Sequence, residues 1–140
     1  MSASTAKGTS AETAYRDLFR RELGAPVDRQ PKRGNDDTGD LDGFPDVARP
    51  GGPLERTGII MGVKNHARYQ LAPAMDNLNS AKLHWLTQNR DLGYTGVLAW
   101  ELFTRKAGAG RPRLPLERGY AVCEVGQLIH VIKLLTGPRA

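Results

Sequence analysis

Apolar side chains recur with helical spacing in two long segments of the chain. Residues 10–23 carry a one-sided apolar stripe, with Thr9 and Glu12 at capping-box spacing before it and Gly24 after it. Residues 71–88 repeat the helical spacing, and Pro73 is tolerable there because it falls in the first turn. A shorter apolar stretch at residues 127–135 closes the chain. We therefore expect three helices over these ranges.

Three other segments are mainly apolar, as is typical of buried strands, and they cover residues 57–63, 96–103 and 120–125. Residues 24–56 are rich in Gly, Pro and Asp, so they can hold only short extended pieces, such as an edge strand at residues 41–44. The order of elements predicts a single α/β domain in which helices flank a mixed central β-sheet. We expect residues 1–8 to be a flexible lead and residues 9–137 to form the domain.

Composition excludes several classes of protein. The chain has 140 residues, about the usual size of one domain. Its single cysteine, Cys123, excludes a disulfide framework and a multi-cysteine zinc site. No apolar run approaches the ~18–20 residues that span a bilayer, and the first residues do not resemble a secretory signal. We expect a cytoplasmic protein with no membrane partner and no small-molecule cofactor.

Charge is divided unevenly along the chain. The net charge is +5, but residues 1–63 carry nine basic and ten acidic side chains, whereas residues 64–140 carry eleven and five. A basic half indicates a polyanionic partner. The residues that we expect to contact the phosphates of such a partner are Arg29, Lys32, Arg33, Arg68, Arg105, Lys106, Arg111 and Arg113. For the basic connection at residues 104–118, a solvated loop without a ligand is the simpler alternative.

A candidate site combines Glu12, Asp40 and the strand end formed by Gly62, Val63 and Lys64. Some nucleases build a magnesium site from an acid in a Gly-rich turn and a strand that ends in acid-x-Lys. The carboxylates and a strand carbonyl hold the cation, and the lysine lies beside the scissile phosphate. Each residue also has a simpler interpretation, as a helix cap for Glu12, a turn residue for Asp40 and a solvated side chain for Lys64.

These motifs together resemble a known family. The matching residues are Lys7 and Gly8 with Glu12, the run Arg21, Glu22, Leu23 and Gly24, the turn Asp37, Thr38, Gly39, Asp40 and Leu41, and the strand end Val63, Lys64 and Asn65. The chain is similar to the archaeal-type Holliday junction resolvases of the PD-(D/E)xK nuclease superfamily, particularly those encoded by phages of actinobacteria. The resemblance extends over residues 7–135.

The resemblance implies a restriction-endonuclease-like fold and an Mg²⁺- or Mn²⁺-dependent homodimer that cuts four-way DNA junctions in a phage-infected bacterium. It places metal ligands at Asp40, at the residue two before Lys64 and at the carbonyl of Val63. Glu12 would assist from the first helix. Residues 120–135 are candidates for the dimer surface, although they are also suited to the core.

The chain departs from the family pattern at Gly62, where an acid is expected. Three explanations are open. The protein is a form without catalysis, engineered or selected because an active junction nuclease is toxic to its host; or another acid, such as Glu55 or Glu101, reaches the metal; or it is a natural relative that binds DNA without cutting. Two further functions are therefore alternatives to the nuclease: a non-catalytic junction-binding protein and a small basic structural protein that binds nucleic acid.

Overall fold

The computed structural model describes the backbone of residues 3–30, 39–47, 56–64, 71–105 and 114–136, and side chains from residue 11 onward. Its helices and strands are, in chain order, α1 (Ala3–Leu23), β1 (Asp28–Arg29), β2 (Leu41–Asp42), β3 (Arg56–Lys64), α2 (Leu71–Asn89), β4 (Tyr94–Phe103), β5 (Tyr120–Val122) and α3 (Val125–Thr136). Short 3-10 turns precede β4 and β5, at Arg90–Leu92 and Leu116–Arg118.

The five strands form one sheet in the order β1-β2-β3-β4-β5. The central pair, β3 and β4, is parallel, and the other three pairs are antiparallel. A parallel pair needs a long crossover connection, and α2 supplies it. The structure thus confirms the single α/β domain with a mixed sheet flanked by helices, an architecture compatible with the restriction-endonuclease-like fold.

The side chains of β3 and β4 alternate between the two faces of the sheet, and each face is covered by a helix. On one face Val63 and Leu102 belong to the cluster that α1 covers with Ala11, Tyr15 and Leu18. On the other face Ile60 and Ala99 pack with Leu78, Ala81 and Trp85 of α2. Continuous apolar strands are therefore needed at the centre of this sheet, as the sequence indicates.

Trp85 connects α2 to the sheet through packing and a hydrogen bond. A Cβ built on Gly58 would lie 2.9 Å from Cζ2 of the Trp85 ring, so the absence of a side chain at Gly58 lets the indole approach β3. The indole Nε1 donates a hydrogen bond of 2.9 Å to Oδ2 of Asp42, and the ring packs edge-on against Tyr94. One aromatic side chain thus links α2 to β2, β3 and β4.

α3 is attached differently, at the edge of β4. Oε1 of Gln127 accepts a hydrogen bond of 2.8 Å from the Ala99 N–H, and its Nε2 donates one of 2.7 Å to the Ala99 carbonyl. Within the described chain α3 buries none of its residues. The helix leaves a run of aliphatic side chains exposed, namely Val125, Leu128, Ile129, Ile132 and Leu135.

The start of α1 and the end of β5 differ from the prediction. α1 begins at Ala3 rather than near residue 10, and Ala3, Ala6 and Lys7 favour this extension although Gly8 costs about 1 kcal/mol. Thr9 consequently lies inside the helix, and the predicted capping box is wrong. β5 ends at Val122, so Cys123 lies beyond the strand. In the described part of the chain, no helix has both the length and the apolar character needed to cross a membrane.

Candidate functional site

The acidic turn and the end of β3 meet at Asp40. The Asp40 N–H donates a 2.9 Å hydrogen bond to the Met61 carbonyl, and Oδ2 of Asp40 accepts one of 2.7 Å from the Val63 N–H. Gly39, with a φ of 97°, allows the chain to bend just before this contact. The carboxylate predicted as a metal ligand is therefore hydrogen-bonded to the Gly62–Val63 peptide unit.

The carbonyl of Val63 is directed to the same side of β3 as its N–H, because both groups of a strand residue point toward the same neighbouring strand. It therefore faces Asp40. The next carbonyl, that of Lys64, points the other way and accepts a 3.2 Å hydrogen bond from the N–H of Thr104. The backbone acceptor predicted as a metal ligand thus lies on the side of the strand where the Asp40 carboxylate is found.

Gly62 lies directly opposite Glu101 in the parallel register of β3 and β4. A Cβ built on Gly62 would overlap Oε2 of Glu101 and would lie 2.8 Å from its Cδ and 2.9 Å from its Oε1. Glu101 is only 3% exposed, although it stands in an apolar strand between Trp100 and Leu102. The carboxyl group of Glu101 therefore occupies the space that an acid at position 62 would need.

Of the two acids that sequence reasoning offered as substitutes, the structure brings Glu101 to the site, whereas Glu55 lies outside the described residues. Glu101 entered the prediction only as an alternative. The signal for it in the sequence is a carboxylate inside a continuously apolar strand, because Glu is almost never buried without a partner or a task.

Glu12 lies on α1, the helix on the opposite face of the sheet from Gly62 and Glu101. It is 6% exposed, and its Oε2 forms an ion pair of 3.2 Å with Nε of Arg29. Nη1 of Arg29 also approaches Oγ1 of Thr13, at 3.4 Å. Arg29 was predicted to contact DNA, which the structure does not test, and it forms an ion pair with a buried carboxylate.

Lys64 ends β3 two residues after Gly62, so alternation places its side chain on the same face as Glu101. Arg105 follows β4 and stacks its guanidinium over the Tyr120 ring, 5.2 Å from the centroid. The remaining residues predicted to contact DNA lie outside the described residues, namely Lys32, Arg33, Arg68, Lys106, Arg111 and Arg113.

The donor set can be tested against the implied cation. Among the described residues no group of three or more His, Cys, Asp and Glu side chains is arranged to hold a metal. What surrounds the Gly62–Val63 peptide is two carboxylates, from Asp40 and Glu101, and the Val63 carbonyl. Mg²⁺ is usually bound by one or two carboxylates and keeps several waters, so these oxygen donors fit Mg²⁺ or Mn²⁺.

Comparison with known proteins finds no family model, no curated protein and no solved structure that matches this chain. The resemblance to junction resolvases therefore rests on the order and spacing of the motifs.

Proposed function

We propose that this protein is a metal-dependent DNA endonuclease that resolves four-way junctions. The observation that carries the proposal is the hydrogen bond between Oδ2 of Asp40 and the Val63 N–H. It unites the acidic turn with the strand that ends in Lys64, two motifs that are distant in sequence and that a nuclease of this kind requires in one place.

Each residue has a definite part in the proposed chemistry. Asp40 and the Val63 carbonyl would hold Mg²⁺ or Mn²⁺, and such a cation would supply Lewis-acid stabilisation of charge on the phosphate. Lys64 places its ammonium beside the scissile phosphate and offsets the negative charge that develops there. Glu12 assists from α1, where its ion pair with Arg29 holds it.

The substrate of this proposal is branched DNA. The basic second half of the chain supplies phosphate contacts, and the absence of a recognisable base-reading motif favours recognition of shape over sequence. The active form is a homodimer, since a four-way junction has two symmetry-related strands to cut. Such an enzyme acts inside the cell, in a phage-infected bacterium.

A non-catalytic junction-binding protein is the second candidate, and the glycine at position 62 favours it. The test is a labelled four-way junction and a linear duplex of the same sequence, each incubated with the protein and Mg²⁺. We expect symmetric cuts in the junction, and we expect Asp40→Asn to retain junction binding but lower the cleavage rate by at least about a hundredfold. Tight junction binding without cleavage by the natural sequence would establish the second candidate instead. Equal binding to junction and duplex would favour a structural nucleic-acid-binding protein.

The basic connection between β4 and β5 has its own test. We expect Arg111→Ala combined with Arg113→Ala to weaken junction binding and to lower the salt slope by roughly two, because each phosphate contact releases about one counterion. Binding measured between about 50 and 200 mM salt checks this. An unchanged slope would exclude phosphate contacts by these two arginines.

A further inference from the structure

Gly62 is an unusual residue for its position. It lies in the interior of a buried strand, where a glycine weakens the strand and packs nothing. The structure gives a reason for it, because any side chain at this position would collide with the carboxyl group of Glu101. The glycine therefore makes room for a carboxylate from the neighbouring strand.

Glu101 is equally unusual. Burying a carboxylate is costly, and in a position of similar shape an apolar residue is often as stable or more stable. The flanking residues Trp100 and Leu102 show that this strand otherwise selects apolar side chains. Packing alone therefore does not account for the choice of an acid at this position.

We propose that Glu101 supplies the second carboxylate of the metal site, reaching from β4 across Gly62 to the oxygens of Asp40 and Val63. The inference rests on the proposed nuclease function and deepens it. All three donors lie beside two consecutive residues of β3: Asp40 through its bond to the Val63 N–H, Val63 through its own carbonyl, and Glu101 through its contact with Gly62. The acid that the family pattern expects two residues before Lys64 is thus provided from the adjacent strand, at the same place.

Gly62 is then a component of the site rather than a defect. Gly62→Ala adds one methyl group that displaces the Glu101 carboxylate, although both acids remain in the chain. Gly62→Glu alone crowds two carboxylates into one space and does not restore the site. The double variant Gly62→Glu with Glu101→Ala returns the carboxylate to β3 and removes the overlap between the side chains at positions 62 and 101.

The first experiment measures metal binding directly. Mn²⁺ is titrated into the full chain and free Mn²⁺ is followed by electron paramagnetic resonance, with circular dichroism and urea unfolding to confirm that each variant is folded. We expect Glu101→Gln and Gly62→Ala each to weaken Mn²⁺ binding by about tenfold or more. Glu117→Gln is the matched control, because it removes an exposed carboxylate outside the site and leaves Mn²⁺ binding unchanged.

If Glu101→Gln does not fold, the double variant Gly62→Glu with Glu101→Ala tests the proposal instead. We expect this double variant to bind Mn²⁺ more tightly than Gly62→Glu alone. Junction cleavage is assayed in parallel. One outcome would overturn the role of Glu101 and leave the nuclease function standing. In that outcome the unmodified protein binds Mn²⁺ and cuts junctions, Glu101→Gln keeps both activities, and Asp40→Asn loses both. If the natural sequence neither binds Mn²⁺ nor cuts, the function fails and the inference fails with it.

Discussion

Tyr15 on α1 carries a buried phenol that makes the stability of the folded protein sensitive to alkaline pH. Its Oη approaches the Leu116 carbonyl at 3.5 Å, and a Cβ on Gly119 would overlap it, so the phenol sits in a crowded place. Burial, and secondarily the negative charge of Glu117, raises the pKa of Tyr15 above its usual value. The folded protein therefore prefers the protonated phenol more strongly than the unfolded chain does.

A raised pKa means that stability is fully present below the unfolded value, about 10, and is lost as the pH rises through the folded value. We expect the urea midpoints of the protein to fall as the pH rises above about 10, and Tyr15→Phe to reduce this fall. Tyr120→Phe is the control, because Tyr120 is exposed. An equal fall in Tyr15→Phe would assign the alkaline sensitivity to other groups, of which Tyr94 also has a raised pKa.

At the residue scale, sequence reasoning located part of the site. Asp40 and Val63 were predicted from local motifs, and the structure brings them into contact. Glu101 was named only as one of two substitutes, because its position opposite Gly62 depends on the register of two parallel strands joined by a helical crossover. Residue spacing does not specify such a register, and the folded sheet is needed to show that Glu101 lies opposite Gly62.

At the element scale, Gln127 attaches α3 to the sheet through two hydrogen bonds. Gln127 satisfies both the N–H and the carbonyl of Ala99, a residue that is 2% exposed, beyond the reach of the short strand β5. Its side-chain amide thereby takes the place of a strand residue. Removing it would leave two buried backbone groups without these hydrogen bonds.

We expect Gln127→Ala to destabilise the protein by about 2 kcal/mol, the usual cost of buried polar groups that lose their partners. Hydrogen exchange should rise in α3 and at the Ala99 amide, while α2 stays protected because Trp85 holds it independently. Mass spectrometry of exchanged peptides distinguishes these regions. Gln88→Ala, an exposed change on α2, is the matched control, and uniform loss of protection across both helices would contradict local attachment.

The elements that were predicted well are long and have a clear periodicity of apolar residues. β3, β4 and α2 were predicted closely, since each carries an apolar pattern of its own. β1 was missed because its two residues form a strand only through pairing with β2. The start of α1 was misplaced because a capping signal inside a helix resembles one at its beginning.

At the scale of the whole molecule, the exposed aliphatic surface of α3 is suited to self-association. Val125 and Leu135 are 71% and 81% exposed, and Leu128, Ile129 and Ile132 are about half exposed. A patch of this kind typically marks an interface. A second copy of the chain is the occupant that fits the proposal, because a two-fold dimer offers two equivalent sites to a junction.

We expect the natural sequence to sediment as a dimer at micromolar concentration and Ile132→Glu to sediment as a monomer, because the charge would be buried in the interface. The variant should keep its circular dichroism spectrum, since Ile132 is not in the core of the protomer. Lys133→Glu, on the same helix, is the control for added charge. A monomeric natural sequence would exclude this dimer.

The contact between Gly62 and Glu101 also has an evolutionary consequence. In this register a side chain at position 62 overlaps the present position of the Glu101 carboxylate, so we expect a lineage that moves the acid between strands to change both residues. Among relatives of this chain, an acid should alternate between positions 62 and 101 and seldom occupy both. A search that requires both acid and lysine on one strand would overlook such sequences, whereas a search for covariation between the two strands would find them.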